Sequence, residues 1–153
     1  MNIYIAGKIS GNTYEECATY FGRTKDELTK MGYFVFSPMT AKAALRTEYA
    51  DRELPTTGYT NPIASNHAIF ERDQWCVRNS DVVYVNLLAS TDHSSIGCAM
   101  ELAWASLLGK HTIVAMQKDN PNRHAFVLEA ADLVVETHEE AMAYLDKLIH
   151  QTG

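Results

Sequence analysis

Glu101 stands inside the apolar helical run IGCAMELAWASLLG, just after the β-rich run SDVVYVNLL. A carboxylate in such company is costly unless it is paired, reached by water from a cleft, or put to use. Two further polar positions fall where a strand ends or a helix faces a crevice: Tyr4 in NIYIAG and Asp73 in HAIFERDQWCVRNS. Two carboxyl groups and a phenol brought together form a set able to donate, accept or attack. Each also has a plain structural alternative. Tyr4 would be a core tyrosine with a satisfied hydroxyl, Asp73 a surface acid beside Arg72, and Glu101 the partner of a nearby base.

Two turns of small residues offer anion sites. SSIG, with Ser95 and Gly97, follows a strand and opens a helix, where free backbone N–H groups and the positive dipole end favour a phosphate. The alternative is a simple helix cap by Ser94 or Ser95. AGKISGN, with Gly7, Lys8 and Ser10, sits similarly after the first strand. It is no P-loop, because the glycine required five residues before Gly7 is Asn2, and it is not GxGxxG. The six histidines include no HExxH and the cysteines no ligand spacing, so no metal and no cofactor are expected. SSIGC also lacks the G-x-S-x-G elbow of a serine hydrolase.

The elements that must hold these residues alternate. Strands are expected over NIYIAG, YFVFSP, DVVYVNLL, HTIVAM and LVVE. Helices are expected over TYEECATYFGRTKDELTKMG, HAIFERDQWCVRNS, the run around Glu101 up to Gly109, and HEEAMAYLDKLIH. DVVYVNLL is apolar on both faces, as in a parallel sheet covered on both sides. The expected fold is α/β: a doubly wound, mostly parallel five-stranded sheet of Rossmann-like or flavodoxin-like order, with ligands at the carboxyl ends of its strands. Residues 39 to 67 form the main irregular segment, with a short helix conceivable in AKAALRTEYADREL, and read as an active-site loop or lid.

At 153 residues the chain is expected to form one domain, 1–153. Its formal charge of -6 carries no basic stripe, which speaks against a nucleic-acid polymer as partner. Cys17, Cys76 and Cys98 read as buried, reduced thiols. With no signal peptide or membrane-length apolar run, a soluble, cytoplasmic protein is expected.

Three segments, IYIAGKISG, RDQWCVRNSDVVYV and SSIGCAMELAWASLLGK, together resemble the nucleoside 2-deoxyribosyltransferase superfamily, which includes nucleoside 5'-monophosphate N-hydrolases and cytidylate N-glycosidases. In that superfamily a first-strand tyrosine, an aspartate eight residues before the acid opening the third strand, and a helix glutamate form the catalytic set. The matching positions are Tyr4, Asp73 (eight before Asp81) and Glu101. The resemblance implies that Glu101 attacks the sugar C1' through an oxocarbenium-like transition state, that Asp73 protonates or orients the departing base, and that Tyr4 holds the carboxylate. An ionised nucleophile beside a protonated acid would require the two carboxyl groups to differ in pKa. Burial of Glu101 among Met100, Leu102 and Trp104 is the expected means.

The fate of the glycosyl intermediate separates a transferase from a hydrolase. In the transferases the residue six before the glutamate resembles an acid that binds the 5'-hydroxyl, and in the nucleotide hydrolases a serine that contacts the 5'-phosphate. Here it is Ser95. The resemblance therefore implies a nucleotide hydrolase, with a small-molecule nucleotide or nucleoside as partner. The first loop departs from the pattern, with Lys8 and Ser10 standing where the hydrolases have a serine and then an arginine. His124 in NRHAFVLEAAD aligns with a phosphate-contacting serine supplied by the neighbouring subunit, with Arg123 beside it, which implies a homodimer or a dimer of dimers. Two other functions stay open: base exchange by a 2-deoxyribosyltransferase, and a nucleotide-binding or sensing module without turnover. Tyr49 and Tyr59 are the expected base-facing aromatics.

Overall fold

A computed structural model describes residues 1–151. In chain order the elements are β1 (Asn2–Gly7), α1 (Tyr14–Met31), β2 (Phe34–Phe36), α2 (Leu45–Glu48), α3 (Asn66–Arg78), β3 (Val82–Asn86), α4 (Ile96–Leu107), β4 (His111–Ala115), α5 (Ala125–Ala130), β5 (Leu133–Val135) and α6 (His138–Gln151). The strands make one sheet in the order β2-β1-β3-β4-β5, and every pairing is parallel. The flavodoxin-like order is therefore realised, and the sheet is wholly rather than mostly parallel. Chain direction across the sheet reverses between β1 and β3, which is where such folds open a crevice beyond the strand ends.

Local signals account for the element ends. Thr13 caps α1 in a reciprocal box with Glu16, and Gly32 terminates it at φ 110, a left-handed turn that favours glycine. Gly109 does the same beyond α4 at φ 69. Side chains along the strands alternate between two core layers. Ile3, Ile5, Val82 and Tyr84 face the layer built with Phe21, Leu28 and Leu145 of α1 and α6. Tyr4, Ala6, Val83 and Val85 face the layer built with Cys76, Val77, Cys98 and Leu102 of α3 and α4. Burial on both faces explains the unbroken apolar run of β3. This alternation also puts Tyr4 on the side of the sheet that carries Asp73 and Glu101.

Two elements differ from the expectation. The segment after β4 contains α5, which its six residues were too short to declare by periodicity. In the 39 to 67 segment only Leu45–Glu48 and the first two residues of α3, Asn66 and His67, are helical. That segment is nevertheless anchored: Gly11 N–H donates to Leu54 O at 2.9 Å, Leu54 N–H donates to Asn12 O at 2.8 Å, and Leu45 and Leu54 are buried in the core. All three cysteines are buried and unpaired. Among the described residues no helix is long and apolar enough to cross a membrane.

Candidate active site

A cleft of about 450 Å³ opens beyond the carboxyl ends of β1 and β3. Its walls come from the first loop, the start of α4, the inner face of α3 and the 39 to 67 segment. Asp73 and Glu101 both line it. They also line a second, smaller recess walled by Phe70, Met100 and Trp104. The carboxyl pair thus stands between two hollows.

Tyr4 lies beneath the pair, fully buried in the α3/α4 layer. Its hydroxyl has no hydrogen-bond partner, and neither has Oε2 of Glu101, although both atoms are buried. The two lie close enough to interact but outside the geometry of a formed hydrogen bond. Burial pushes the Glu101 carboxyl well above the usual carboxylate range, and the charge of Asp73 adds to the push, while the Tyr4 hydroxyl and Lys42 oppose it. Burial likewise raises Asp73, against Lys42 and then Arg72. The Tyr4 hydroxyl is raised too, by burial first and then by the two carboxyls.

Facing carboxyls of this kind titrate as a pair that holds one proton beyond the ordinary range. Burial raises both carboxyls, and the charge of Asp73 adds to the push on Glu101, so the pair fits one proton held between them, as an ionised carboxyl beside a protonated one requires. Of the residues expected to bury Glu101, Leu102 is in the core and Trp104 packs against it, while Met100 is 41 % exposed; Tyr4 and Cys98 belong to the same layer. Arg72 does not pair with Asp73; its Nη1 donates to Ile63 O at 2.9 Å.

The start of α4 and the first loop bring Ser95, Gly97, Gly7, Lys8 and Ser10 to the wall of the cleft. Ser95 caps the helix, its Oγ accepting from Cys98 N–H at 3.4 Å, and its own N–H donates to Asn122 Oδ1 at 2.7 Å. The hydroxyl hydrogen of Ser95 is left to donate into the cleft. Capping and anion binding are therefore compatible. A Cβ on Gly97 would stand 3.9 Å from Glu101 Oε1, an ordinary contact, so Gly97 lies directly beside the carboxyl. A Cβ on Gly7 would meet Asn86 O at 3.2 Å and the Phe21 ring at 3.3 Å, so glycine there serves close packing of β1 on β3 and α1. Lys8 Nζ stands 4.0 Å from Asp92, which also contacts His93 at 2.9 Å.

His124 is not brought to the cleft of its own chain. It caps α5, its Nδ1 accepting from Phe126 N–H at 3.1 Å, and is exposed, as is Arg123. Of the two loop tyrosines, Tyr59 lines the cleft and Tyr49 packs behind it, with ring centroids 5.6 Å apart. Sequence reasoning missed Lys42, a buried lysine on the cleft wall, because no motif or period marks it. It also missed the buried pair Asn120 and Asn122, whose side chains tie the loop after β4 to Leu87 O and Ser90 O and so support Ser95. Among the described residues no group of three or more His, Cys, Asp or Glu is placed to hold a metal ion.

Solved structures share this fold. A 2-deoxyribosyltransferase from Bacillus psychrosaccharolyticus is 17% identical, with a TM-score of 0.55 over 95% of this chain and 96% of that one. A 2-deoxyribosyltransferase from Leishmania mexicana is 15% identical, with a TM-score of 0.60 over 95% and 97%. The CMP N-glycosidase BcmB of Clostridium botulinum is 13% identical, with a TM-score of 0.53 over 95% and 98%. A comparison with curated protein sequences finds no match. The family profile described as nucleoside 2-deoxyribosyltransferase matches residues 3–145, nearly the whole chain, and the protein therefore belongs to that family of enzymes.

Proposed function

We propose that the protein hydrolyses the N-glycosidic bond of a (deoxy)ribonucleoside 5'-monophosphate to free base and sugar 5-phosphate. The observation that carries this reading is Ser95 at the α4 N-terminus, lining one cleft together with Lys8, Ser10 and the carboxyl pair. A neutral donor at a helix start, backed by a lysine, favours a dianionic phosphate, whereas an acid there would repel it.

In this reading the phosphate docks at the Ser95 end and sets C1' over Glu101. The single proton of the carboxyl pair passes by way of Asp73 to the departing base, leaving Glu101 ionised to form the bond to C1' as the C1'–N bond breaks. Water, deprotonated by Asp73, then attacks C1' and releases Glu101. Tyr4 supplies a hydroxyl to the carboxylate that has just lost its proton. The 39 to 67 segment acts as the base-side wall or lid, and the chain works as a single domain in a homodimer that brings His124 to the neighbour's phosphate site.

Base exchange is the second reading, because two of the similar solved structures are 2-deoxyribosyltransferases. The test is a chromatographic screen of the common ribo- and deoxyribonucleoside monophosphates for free base and sugar 5-phosphate, run beside a nucleoside with an added acceptor base. Free base from monophosphates supports the hydrolase; a new nucleoside in the second arm supports the transferase. Binding with neither product would leave a sensing module.

A further inference from the structure

Lys42 is a lysine of the cleft wall that the proposed mechanism does not use for binding or proton transfer. It is 3% exposed, yet among the described residues its ammonium has neither an ion-pair nor a hydrogen-bond partner. The backbone holds it there. Lys42 N–H donates to Met39 O at 3.2 Å, its carbonyl accepts from Leu45 N–H at 2.9 Å, and Ala41 before it adopts φ 59, a left-handed turn unusual for alanine. A lysine so enclosed, with its ammonium reached from the cleft, is an uncommon arrangement. Lys42 lines the same cleft as Asp73 and Glu101, and its charge acts on both carboxyls.

Resting on the hydrolase reading, we infer that Lys42 recognises the departing base: its ammonium donates to a ring-carbonyl oxygen and takes up the negative charge that the glycosidic electron pair carries onto the base. The substrate base is accordingly an oxo heterocycle, a 2-oxopyrimidine or a 6-oxopurine, in preference to adenine.

The chemistry favours this assignment over two others. Lysine presents three donors and no acceptor, so it matches a carbonyl oxygen. When the C1'–N bond breaks, the electron pair of an oxo base spreads onto that oxygen, and a fixed cation aimed at developing charge is most effective in a water-poor site. Adenine carries no such oxygen, and it leaves more readily after protonation of its ring, which a neighbouring cation opposes. A phosphate role is less suited, since Lys8, Ser10 and Ser95 come from the first loop and the start of α4, whereas Lys42 belongs to the 39 to 67 segment, the base-side wall of the proposed reading.

The experiment measures kcat/KM for uridine, cytidine, inosine and adenosine monophosphates, or their deoxy forms, with wild type, Lys42→Met and Lys42→Gln, after thermal melts show both variants folded. Lys42→Met is expected to lower the oxo-base rates by ~10²–10³-fold, the range for loss of one preorganised donor. The adenine rate falls far less, so the selectivity ratio collapses, and Lys42→Gln, which keeps a donor without the charge, falls between. A uniform loss for all bases, a wild-type preference for adenine, or a loss seen with monophosphates but not with the matching nucleosides would overturn the proposal. Calorimetric titration of free uracil, hypoxanthine and adenine separates this inference from the hydrolase reading. If no nucleotide is cleaved, that reading falls; at least tenfold weaker binding of the oxo bases alone to Lys42→Met would still uphold base recognition, and unchanged binding would overturn it.

Discussion

The hydroxyl of Tyr4 and Oε2 of Glu101 are both buried, both lack a hydrogen-bond partner, and both belong to the same layer between the sheet and α4. A buried polar atom left unpaired costs about 1–3 kcal/mol. Two such atoms in one layer, beside the raised carboxyl of Asp73, fit the proton transfer proposed for this site.

Tyr4→Phe tests that relationship. Removing an unpaired hydroxyl from a fully buried site should leave stability unchanged or raise it by up to about 1 kcal/mol. Turnover should fall, and because the hydroxyl opposes the upward shift of Glu101, the acid limb of the pH–rate profile should move to higher pH. A melting temperature that drops by several degrees with an unmoved profile would make Tyr4 a packing residue.

The carboxyl pair also makes a pH-dependent stability prediction. A carboxyl whose pKa is raised on folding binds its proton more tightly in the native state, so its contribution is full below the unfolded value and is lost as pH rises through the folded value. Stability of the wild type should therefore decline from the ordinary carboxylate range upward, in the direction of the shifts on Asp73 and Glu101. Glu101→Gln should flatten that decline and be relatively more stable at higher pH, while abolishing turnover at nearly constant volume. Asp73→Asn should cost ~10²–10⁴-fold in rate. Chemical denaturation across pH and steady-state kinetics check both; a Glu101→Gln protein with near-wild-type turnover would remove the nucleophile.

The alternation of strands and helices was readable because each long element carries its own period and its own stop, such as Gly32 after α1 and Gly109 after α4. The side of the sheet on which Tyr4 lies also follows from alternation along β1. What could not be read were features set by tertiary packing alone. The six residues of α5 are too few to show a period. The inward turn of Lys42 depends on a left-handed Ala41, which sequence does not announce. The upward shift of both carboxyls depends on how deeply each is buried, which packing alone decides.

The exposed apolar side chains lead to a prediction about assembly. Phe126 is 80% exposed and its ring packs edge-on against His124 with centroids 5.5 Å apart. A surface that exposes such a residue fits association, and closed two-fold assemblies are the commonest. Light scattering at assay concentration should give a dimer or tetramer, and Phe126→Glu should shift it toward monomer with loss of activity on monophosphates. A fully active monomer would take His124 and Arg123 out of the site.

Ser95→Asp tests the step from the helix start to the phosphate. Aspartate caps a helix as well as serine does, so the fold and its melting temperature should hardly change. If the 5'-phosphate binds there, the new carboxylate meets it as a like charge and removes a donated hydrogen bond. Together these are worth ~2–4 kcal/mol, or roughly thirty- to a thousand-fold in kcat/KM for the monophosphate. The unphosphorylated nucleoside brings no such charge, and its rate should fall much less, so specificity moves toward nucleosides. Ser95→Ala separates the two contributions, because it loses the donor without adding repulsion and should give the smaller effect. The deciding measurement is the ratio of kcat/KM for one monophosphate and its nucleoside in wild type and both variants. An unchanged ratio would mean that Ser95 only caps α4, that the phosphate is held elsewhere, and that base exchange becomes the leading reading.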